Sequence, residues 1–288
     1  MAVSGGPDSL ALLLLAAHAM PGRITVASVD HQLREESGAE CALVADLCAK
    51  LEVPHETLAV KVAGGNLQQE ARAARYVALA QWAVRNSLNA VLTAHHADDQ
   101  AETLVMRLNR SSGLSGLAGV RRTTSIPGTD IPLLRPLLGW RKAELELILS
   151  ASGVAAAQDP SNTNEQFDRA RIRKALSEAD WLDIEAVAAS ASNLADAEEA
   201  LVWAAEREWT GHVHAVGGTL EYQSYAPLAL QLRVVARMIE EIAEPPRLGA
   251  LARLMRETGE GEQVNIAGAM LARTSDGWFV TKEPARRG

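Results

Sequence analysis

A short loop near the start of the chain is the feature that most restricts its fold. Residues 4–9 read Ser-Gly-Gly-Pro-Asp-Ser and lie between a short apolar stub, Ala2 and Val3, and an unbroken apolar run at residues 10–15. This order predicts a strand, a tight turn and the N-terminus of a helix. Glycines let the backbone approach a ligand, and the free amides and dipole of a helix N-terminus attract an anion. We therefore predict a phosphate-binding loop, with a simple polar turn before a helix cap as the alternative.

The loop differs from Walker-type loops because it contains an aspartate and no lysine. In a Walker-type loop the lysine reaches the outer phosphates. Asp8 would have to act on a phosphate through a cation, and Mg²⁺ is the cation that suits a carboxylate next to phosphate oxygens. We therefore expect Asp8 to bind Mg²⁺.

Length and composition exclude several classes of protein. The 288 residues are enough for about two domains, and 48% of them are hydrophobic. No apolar run approaches the roughly 20 residues of a membrane span, and the first residues lack the basic segment of a signal peptide. We therefore expect a cytoplasmic protein with no membrane partner. Cys41 and Cys48 lie in an apparent helix outside any CxxC motif, and we interpret them as core residues.

The net charge of −8 is distributed unevenly along the chain. Residues 178–208 contain nine acids and one base, whereas residues 107–174 contain eleven bases and six acids, a net charge of +5. A cationic segment of this kind suits a phosphate-backbone partner such as RNA. Scattered arginines on a solvated surface would give the same count, so charge alone leaves both interpretations open.

The first half of the chain alternates between strands and helices. Strand-like runs occur at residues 24–30, 56–62 and 90–93, and helical stretches at about 9–19, 38–51, 67–87 and 99–110. This order predicts an α/β fold with a doubly wound parallel sheet, whose ligands bind at the carboxyl ends of the strands. The residues predicted at those ends are Ser4, Asp30, His31, His95 and His96.

The second half of the chain is predicted to be mainly helical. A Gly/Ser/Thr-rich stretch from residue 113 to 130 indicates a flexible connection, and an Asp-Pro-Ser-Asn turn at 159–162 must precede the helix that contains Arg171 and Arg173. Beyond it we predict helices at about 178–210, 227–243 and 247–257, a turn at 217–218, and short strands at 263–267 and 278–281. We therefore predict a catalytic domain at 1–177 and a smaller, mainly helical domain with a small β element at 178–288.

A second polar motif, TAHHADDQAET, begins at Thr93. Its histidines and aspartates allow a zinc site, although no His-Glu pair has helical spacing. Asp99 and Glu102 also have the spacing of a helix cap. Three acids at a strand tip facing the phosphate loop exceed what capping needs. We therefore favour a substrate-binding or nucleotide-binding role for Asp98, Asp99 and Glu102.

Two arginines in the motif EARAARY are three residues apart and share one face of a predicted helix. Guanidinium groups at Arg72 and Arg75 would suit phosphates, or the charge that develops when a nucleotide is attacked. A surface pair neutralised by Glu70 is the alternative.

Taken in order, these motifs resemble the tRNA(Ile)-lysidine synthetase family of N-type ATP pyrophosphatases. The matching segments are SGGPDS, VDHQLR, EARAARY, TAHHADDQAET, RSSGLSGLAGV, RPLL, DPSN and RARIR. The resemblance runs from residue 2 to about 175 and continues more weakly to the end. SGGxDS identifies only the superfamily, whereas HHxDDQAET with RPLL and DPSN is more specific. Ser111 stands where the family usually has glycine, and we expect a clipped N-terminus and no extra C-terminal domain.

The resemblance implies a fold and a reaction. The fold is that of the adenine nucleotide alpha hydrolases. In the reaction ATP adenylates the C2 carbonyl oxygen of the wobble cytidine in a tRNA(Ile) with a CAU anticodon, and free L-lysine then displaces AMP to form lysidine. The resemblance is also compatible with a homodimer. The alternatives are a tRNA-thiolating enzyme of the same superfamily, which would need catalytic or cluster-binding cysteines, and a non-catalytic nucleotide-binding module.

The same resemblance assigns roles to the candidate residues. Catalysis is assigned to Asp8, Arg72, Arg75, Asp99 and Arg171. ATP binding is assigned to Ser4, Gly5, Gly6, Pro7, Asp8, Ser9, Asp30 and His31, with Mg²⁺ bound by Asp8. Lysine binding is assigned to Asp98, Asp99 and Glu102. Binding of the tRNA is assigned to Arg110, Arg121, Arg122, Arg169, Arg171 and Arg173.

Overall fold

A computed structural model describes residues 1–32, 36–61, 67–157 and 168–283 of the chain. The DPSN turn predicted at 159–162 lies outside the described residues. The chain divides into two compact units, one of Met1–Asn109 with Gly119–Ser192 and the other of Arg110–Ala118 with Asn193–Gly288. The boundary expected after residue 177 stays a prediction. Within the described ranges, no helix has the length and apolar character that crossing a membrane requires.

The sheet of the first unit is mainly parallel. Strand β1 (Val26–Asp30) pairs in parallel with β2 (His55–Ala59). Strand β3 (Val91–Leu92) pairs in parallel with β5 (Pro132–Leu134), which pairs antiparallel with β4 (Thr123–Ser125). These strands are short. The inner strand β1 is buried at Val26, Ala27 and Ser28, as expected for a strand covered on both faces, whereas the edge strands β2 and β4 are partly exposed.

The first three residues join the two groups of strands. The Ala2 amide donates to the Leu92 carbonyl (3.0 Å), and the Val3 amide donates to the Ala27 carbonyl (3.0 Å). The spatial order is therefore β2, β1, residues 1–3, β3, β5 and β4. The chain winds first to one side of residues 1–3 and then to the other, so the predicted doubly wound sheet is confirmed. Ligands of such sheets bind where the strand order reverses, directly after residues 1–3.

Helices flank this sheet. They are α1 (Pro7–Ala19), α2 (Glu36–Lys50), α3 (Leu67–Arg85), α4 (Ala97–Leu108), α6 (Lys142–Ser152), α7 (Asp168–Glu178) and the first part of α8 (Ile184–His212). The short helix α5 (Leu114–Leu117) belongs to the second unit. The middle of helix α1, residues 10–17, is apolar on all sides, which suits a buried helix. Leu10 and Leu13 are fully covered in a core that includes Val26, Val44 and Leu145.

Cys41 and Cys48 lie on the buried side of α2 as free thiols, which confirms their interpretation as core residues. A second core cluster lies around Trp82 and Leu79 of α3 and contacts Ala27 and Val91 of the sheet.

The prediction of a flexible connection at residues 113–130 is wrong. The buried Gln100 side chain donates from Nε2 to the Val120 carbonyl (2.8 Å) and accepts from the Val120 amide at Oε1 (2.6 Å). Gly119 has φ +62°, and a Cβ there would lie 2.4 Å from Gln100 Oε1. Buried Arg135, of the RPLL motif, donates from Nη1 to the Arg121 carbonyl (2.7 Å). Polar side chains from outside the stretch therefore help to order it, and Ile126 within it is fully buried in the core around Trp82.

The second unit combines helices with a five-stranded antiparallel sheet. Its strands are β6 (Val213–Val216), β7 (Thr219–Gln223), β8 (Gln263–Ile266), β9 (Ala269–Arg273) and β10 (Gly277–Lys282), in the order β6-β7-β10-β9-β8. Helices α9 (Leu228–Ile242) and α10 (Leu248–Glu257) supply the other side of a core that contains Tyr222, Trp278 and Met238. The sequence predicted both helices, β8, β10 and the turn between β6 and β7. It missed β6, β7 and β9, because runs of four or five residues are too short for apolar periodicity to identify a strand.

Candidate active site

The predicted phosphate loop leads directly into α1. Gly5 has φ +83°, and a Cβ there would lie 3.2 Å from the Glu40 carbonyl oxygen, so both the conformation and the space favour glycine. Pro7 is the first residue of the helix, and the Leu10 amide makes the first helical hydrogen bond, to the Gly6 carbonyl (3.1 Å). The amides of Asp8 and Ser9 precede that bond and are directed out of the helix N-terminus, where an anion binds.

Ser9 holds the loop in this shape. Its hydroxyl donates to the Gly6 carbonyl (2.9 Å) and accepts from the Ser4 amide (3.2 Å). The hydroxyl of Ser4 lies 3.3 Å from that of Ser9. These bonds close the loop on itself without using the amides at the start of α1.

The carboxylate of Asp8 suits a divalent cation. Asp8 Oδ1 is buried and has no hydrogen-bond partner among the described residues, while Oδ2 lies 3.6 Å from His96 Nε2. A buried carboxylate oxygen without a donor is costly, and a hard cation such as Mg²⁺ satisfies it. No cluster of three or more His, Cys, Asp or Glu side chains in the described ranges has a metal-binding arrangement. Phosphate oxygens and water would therefore complete the coordination of an ion on Asp8.

His96 connects the loop to the second motif. Its side chain is 3% exposed and lies within 3.6 Å of Asp8 and 3.5 Å of both Asp98 and Asp99. Burial opposes protonation of this imidazole, but the three carboxylates outweigh burial and raise the pKa of His96 to about 9. His96 is therefore a buried imidazolium at neutral pH. The sequence analysis placed His96 at a strand end where ligands bind but assigned it no specific role, although a histidine two residues before a pair of aspartates was the available signal.

The neighbouring His95 has the opposite character. Burial lowers the pKa of His95 to about 4, and the positive charges of Arg135, Arg169 and Arg72 act in the same direction. Its Nδ1 lies 3.1 Å from the Thr93 hydroxyl. Two adjacent histidines at one strand end thus carry different charges at neutral pH.

Asp98 and Asp99 both help to shape the helices around the site. Asp98 accepts from Arg141 Nη2 (3.2 Å) and from the Lys142 amide (2.8 Å), at the start of α6. Although burial opposes it, these donors and His96 hold the pKa of Asp98 well below its usual range. Asp99 Oδ2 accepts from the His96 amide (3.0 Å), which caps α4. Helix α4 begins at Ala97 and not near residue 99, so Asp99 caps from inside the first turn.

Glu102 is the most deeply buried acid of the motif. Its side chain is 3% exposed, and it accepts from Arg169 Nε and from Arg173 Nε, each at 2.6 Å. Arg169 Nη2 also donates to Asp99 Oδ1 at 2.5 Å. Arg171, two residues away on α7, is exposed and bonds to Asp168 (2.6 Å). The structure thus brings residues assigned to lysine into direct contact with residues assigned to tRNA.

The candidate nucleotide residues beyond the loop lie at the end of β1 and on α3. Asp30 accepts from the Ser37 hydroxyl and from the Gln32 amide (2.9 Å), and these bonds lower the pKa of Asp30. Arg75 Nη2 lies 3.4 Å from His31 Nε2, so these two assigned residues are adjacent.

The remaining assigned arginines outside α7 make other contacts. Arg72 donates to the Tyr76 hydroxyl (3.2 Å) and stacks over that ring. The backbones of Arg121 and Arg122 both accept from Arg135, whereas Arg110 belongs to the second unit.

The two cysteines do not suit sulfur chemistry. Burial raises the pKa of the Cys41 thiol and raises that of Cys48 to about 11. A reactive cysteine needs an accessible thiolate, which neither residue provides. The structure therefore offers no support for the thiolating alternative.

Comparisons with known proteins agree with the motifs. Residues 1–179 match the PP-loop domain family. The chain is 46% identical over 291 residues to a tRNA(Ile)-lysidine synthase of Novosphingobium aromaticivorans, covering 100% of this chain and 89% of that protein. It is 36% identical to the enzyme of the same name from Zymomonas mobilis subsp. mobilis, over 100% and 89% of the two chains.

A solved structure with a similar fold is the U34-tRNA thiolase NcsA from Methanococcus maripaludis with its [4Fe-4S] cluster. It aligns with a TM-score of 0.58 at 13% identity, covering 68% of this chain and 70% of that one, which bears on the fold alone. The family relationship rests on the end-to-end similarity to the synthases, and the resemblance seen in the motifs is confirmed: the chain belongs to the tRNA(Ile)-lysidine synthase family of PP-loop proteins.

Proposed function

We propose that this protein forms lysidine by joining L-lysine to C2 of the wobble cytidine of a tRNA(Ile) with a CAU anticodon. The reaction consumes ATP, passes through an adenylated tRNA and releases pyrophosphate and AMP. One observation carries the proposal: His96 contacts both Asp8 of the phosphate loop and Asp99 of the acid motif, at 3.6 and 3.5 Å. Ligation needs a nucleotide and an amine held side by side, and this contact joins the two halves of such a site.

Adenylation is assigned to the loop and to α3. The amides at the start of α1 bind the triphosphate, and Asp30 and His31 bind the rest of the nucleotide. Mg²⁺ held by Asp8 would neutralise negative charge on the phosphates. Arg72 and Arg75 stabilise the charge that develops when the cytidine oxygen attacks the α-phosphate and pyrophosphate leaves.

Lysine transfer is assigned to the acids. The ε-amine has an ordinary pKa of about 10.4, so it must lose a proton before it attacks. Asp99 and Glu102 bind the ammonium group, and a carboxylate of the cluster takes the proton. The nitrogen then bonds to C2 while the bond from C2 to the AMP-bearing oxygen breaks. Asp98 already binds Arg141 and the Lys142 amide, so we assign it to positioning the lysine site.

The tRNA is assigned to the cationic face around α7. Arg169, Arg171 and Arg173 contact the RNA backbone, with Arg110, Arg121 and Arg122 as further contacts. The wobble base belongs to a loop, so it can leave its stack at lower cost than a paired base. A cytoplasmic location and a homodimer stay predictions.

Mass spectrometry of the anticodon nucleotide tests the proposal. The protein is incubated with ATP, Mg²⁺, L-lysine and an unmodified tRNA(Ile) transcript, and we expect the wobble cytidine to gain the mass of lysine less one water. A transcript with uridine at the wobble position is the control. Without lysine, AMP should attach to the tRNA and no lysidine should form. Exchange of oxygen for sulfur, or ATP cleavage without a modified base, would contradict the proposal.

A further inference from the structure

The acids assigned to lysine already hold cations in the free protein. Both oxygens of Glu102 accept from arginines, Oε2 from Arg169 and Oε1 from Arg173, and Arg169 also reaches Asp99. These four residues connect α4 to α7, and we name them the latch. An ammonium group needs carboxylate oxygens as acceptors, and in the latch both oxygens of Glu102 and one of Asp99 already accept from guanidinium groups that balance their charge.

A free amino acid competes poorly with the latch. The two guanidinium groups are tethered beside the acids, so their effective concentration exceeds that of a dissolved ligand. Two cations on the same carboxylate oxygens would also repel each other. Lysine therefore binds well only after at least one arginine has left.

A phosphate group is suited to remove the arginines. The Glu102 and Asp99 side chains are 3% and 13% exposed, whereas those of Arg169 and Arg173 are 45% and 36% exposed. An anion can therefore approach the guanidinium groups from solvent while the acids stay covered. Guanidinium binds phosphate with the same bidentate geometry as carboxylate. An arginine that exchanges its carboxylate partner for a phosphate therefore keeps its charge-assisted hydrogen bonds.

We propose that Arg169 and Arg173 keep the lysine-binding acids closed until a phosphate group of the bound tRNA or nucleotide draws their guanidinium groups away. The inference rests on the proposed assignment of Asp99 and Glu102 to lysine. The latch would fix the order of substrate binding, because the lysine-binding acids open only when a phosphate-bearing substrate is present. By linkage, lysine must tighten the binding of that substrate by the same factor.

Calorimetric titration of L-lysine tests the latch on the full chain. Four states are compared: the protein alone, with Mg²⁺ and α,β-methylene ATP, with unmodified tRNA(Ile), and with both. We expect lysine to bind at least about tenfold more tightly in a state that opens the latch. Tightening by the nucleotide alone or by the tRNA alone identifies the source of the phosphate. Equal affinities in all four states, or no lysine binding in any, would overturn the proposal.

Variants separate a latch from a purely structural ion pair. Arg169→Gln should raise the lysine affinity of the protein alone by about tenfold and reduce the effect of the phosphate ligand. Arg173→Gln serves the same purpose if the first variant does not fold. Arg107→Gln, on the exposed part of α4, removes the same charge away from the latch and should bind lysine as the wild type does. A lower melting temperature with unchanged lysine affinity in the folded latch variants would overturn the latch.

The two proposals fail in different ways. If lysidine forms while lysine affinity is the same in all four states, the latch is wrong and the function stands. If lysine affinity rises with the phosphate ligand but the wobble cytidine is not modified, the latch stands and the proposed function is wrong.

Discussion

The phosphate loop and the acid motif, although they meet at His96, are prepared for their ligands in opposite ways. In the loop, Asp8 Oδ1 has no partner among the described residues, and the first amides of α1 precede the helical hydrogen bonds. In the acid motif, every carboxylate accepts from an arginine: Asp98 from Arg141, and Asp99 and Glu102 from Arg169. Under the proposed assignments, the loop is open to an anion, whereas the acids would first have to exchange an arginine for the ammonium group of lysine.

The difference follows from charge and burial. Amides at a helix N-terminus are satisfied by water until a ligand arrives, so leaving them open costs little. Neighbouring buried carboxylates repel one another and lose their hydration, so each needs a cation in the folded protein. An acid cluster that is to receive a cationic substrate therefore has to be held by a cation of the protein beforehand.

The largest effect is expected for Asp8→Asn, which tests the phosphate loop. A neutral amide is a poor ligand for Mg²⁺ beside a triphosphate, so pyrophosphate release should fall by about 100-fold or more. A coupled pyrophosphate assay at saturating Mg²⁺ measures it. Asp46→Asn, at an exposed position of α2, is the matched control and should keep the wild-type rate. A wild-type rate for Asp8→Asn would remove Asp8 from the reaction.

Asp99→Asn tests the acid motif, whose carboxylates are paired with arginines. Its amide oxygen can still cap α4, but it loses the charge that attracts an ammonium group, so lysidine formation at low lysine concentration should fall by at least about tenfold. Attachment of AMP to the tRNA without lysine should persist. Asp130→Asn, at an exposed position before β5, is the control. Equal loss of both steps would show that the two halves do not act separately.

The pH dependence of the melting temperature tests the contact of His96 with Asp8 of the loop and Asp99 of the acid motif. Since the pKa of His96 is raised to about 9 from an ordinary value of 6.5, its charge stabilises the folded protein fully below about pH 6.5. That contribution is lost as the pH rises through about 9. We expect the melting temperature to fall over this interval by on the order of 5 °C more in the wild type than in His96→Gln. Parallel curves for the two proteins would contradict a buried imidazolium.

The smallest effect is expected on the outer face of α7. Arg171 is exposed and does not contact the acids, so Arg171→Ala should weaken tRNA binding and reduce the slope of log affinity against log salt by about one. Arg171→Lys, which keeps the charge, should retain the slope. Filter binding over a range of salt concentrations measures it, and an unchanged slope in Arg171→Ala would place the RNA backbone elsewhere.

Much of the fold was accessible from the sequence because its signals are local. The phosphate loop is encoded in six consecutive residues, and the strand-helix alternation is encoded in apolar runs of the length that each element needs. The prediction of a flexible connection at 113–130 failed because its order comes partly from Gln100 and Arg135, which lie outside it, and partly from burial of Ile126 against the sheet. Strands β6, β7 and β9 were missed because runs of four or five residues show too little periodicity, and only their partners in the sheet of the second unit define them as strands.

The sequence by itself determined which residues carry charge at the ends of the strands, and from them it predicted that a phosphate and a cationic group bind there. Only the tertiary structure decided which charges meet. Arg169 and Glu102 are 67 positions apart in the chain, yet they share a hydrogen bond because α4 and α7 turn these faces toward each other. Apolar periodicity specifies which side of a helix is buried, but it does not specify the polar partner that burial brings to it. For that reason the acids and arginines were each visible in the sequence, while their pairing was not.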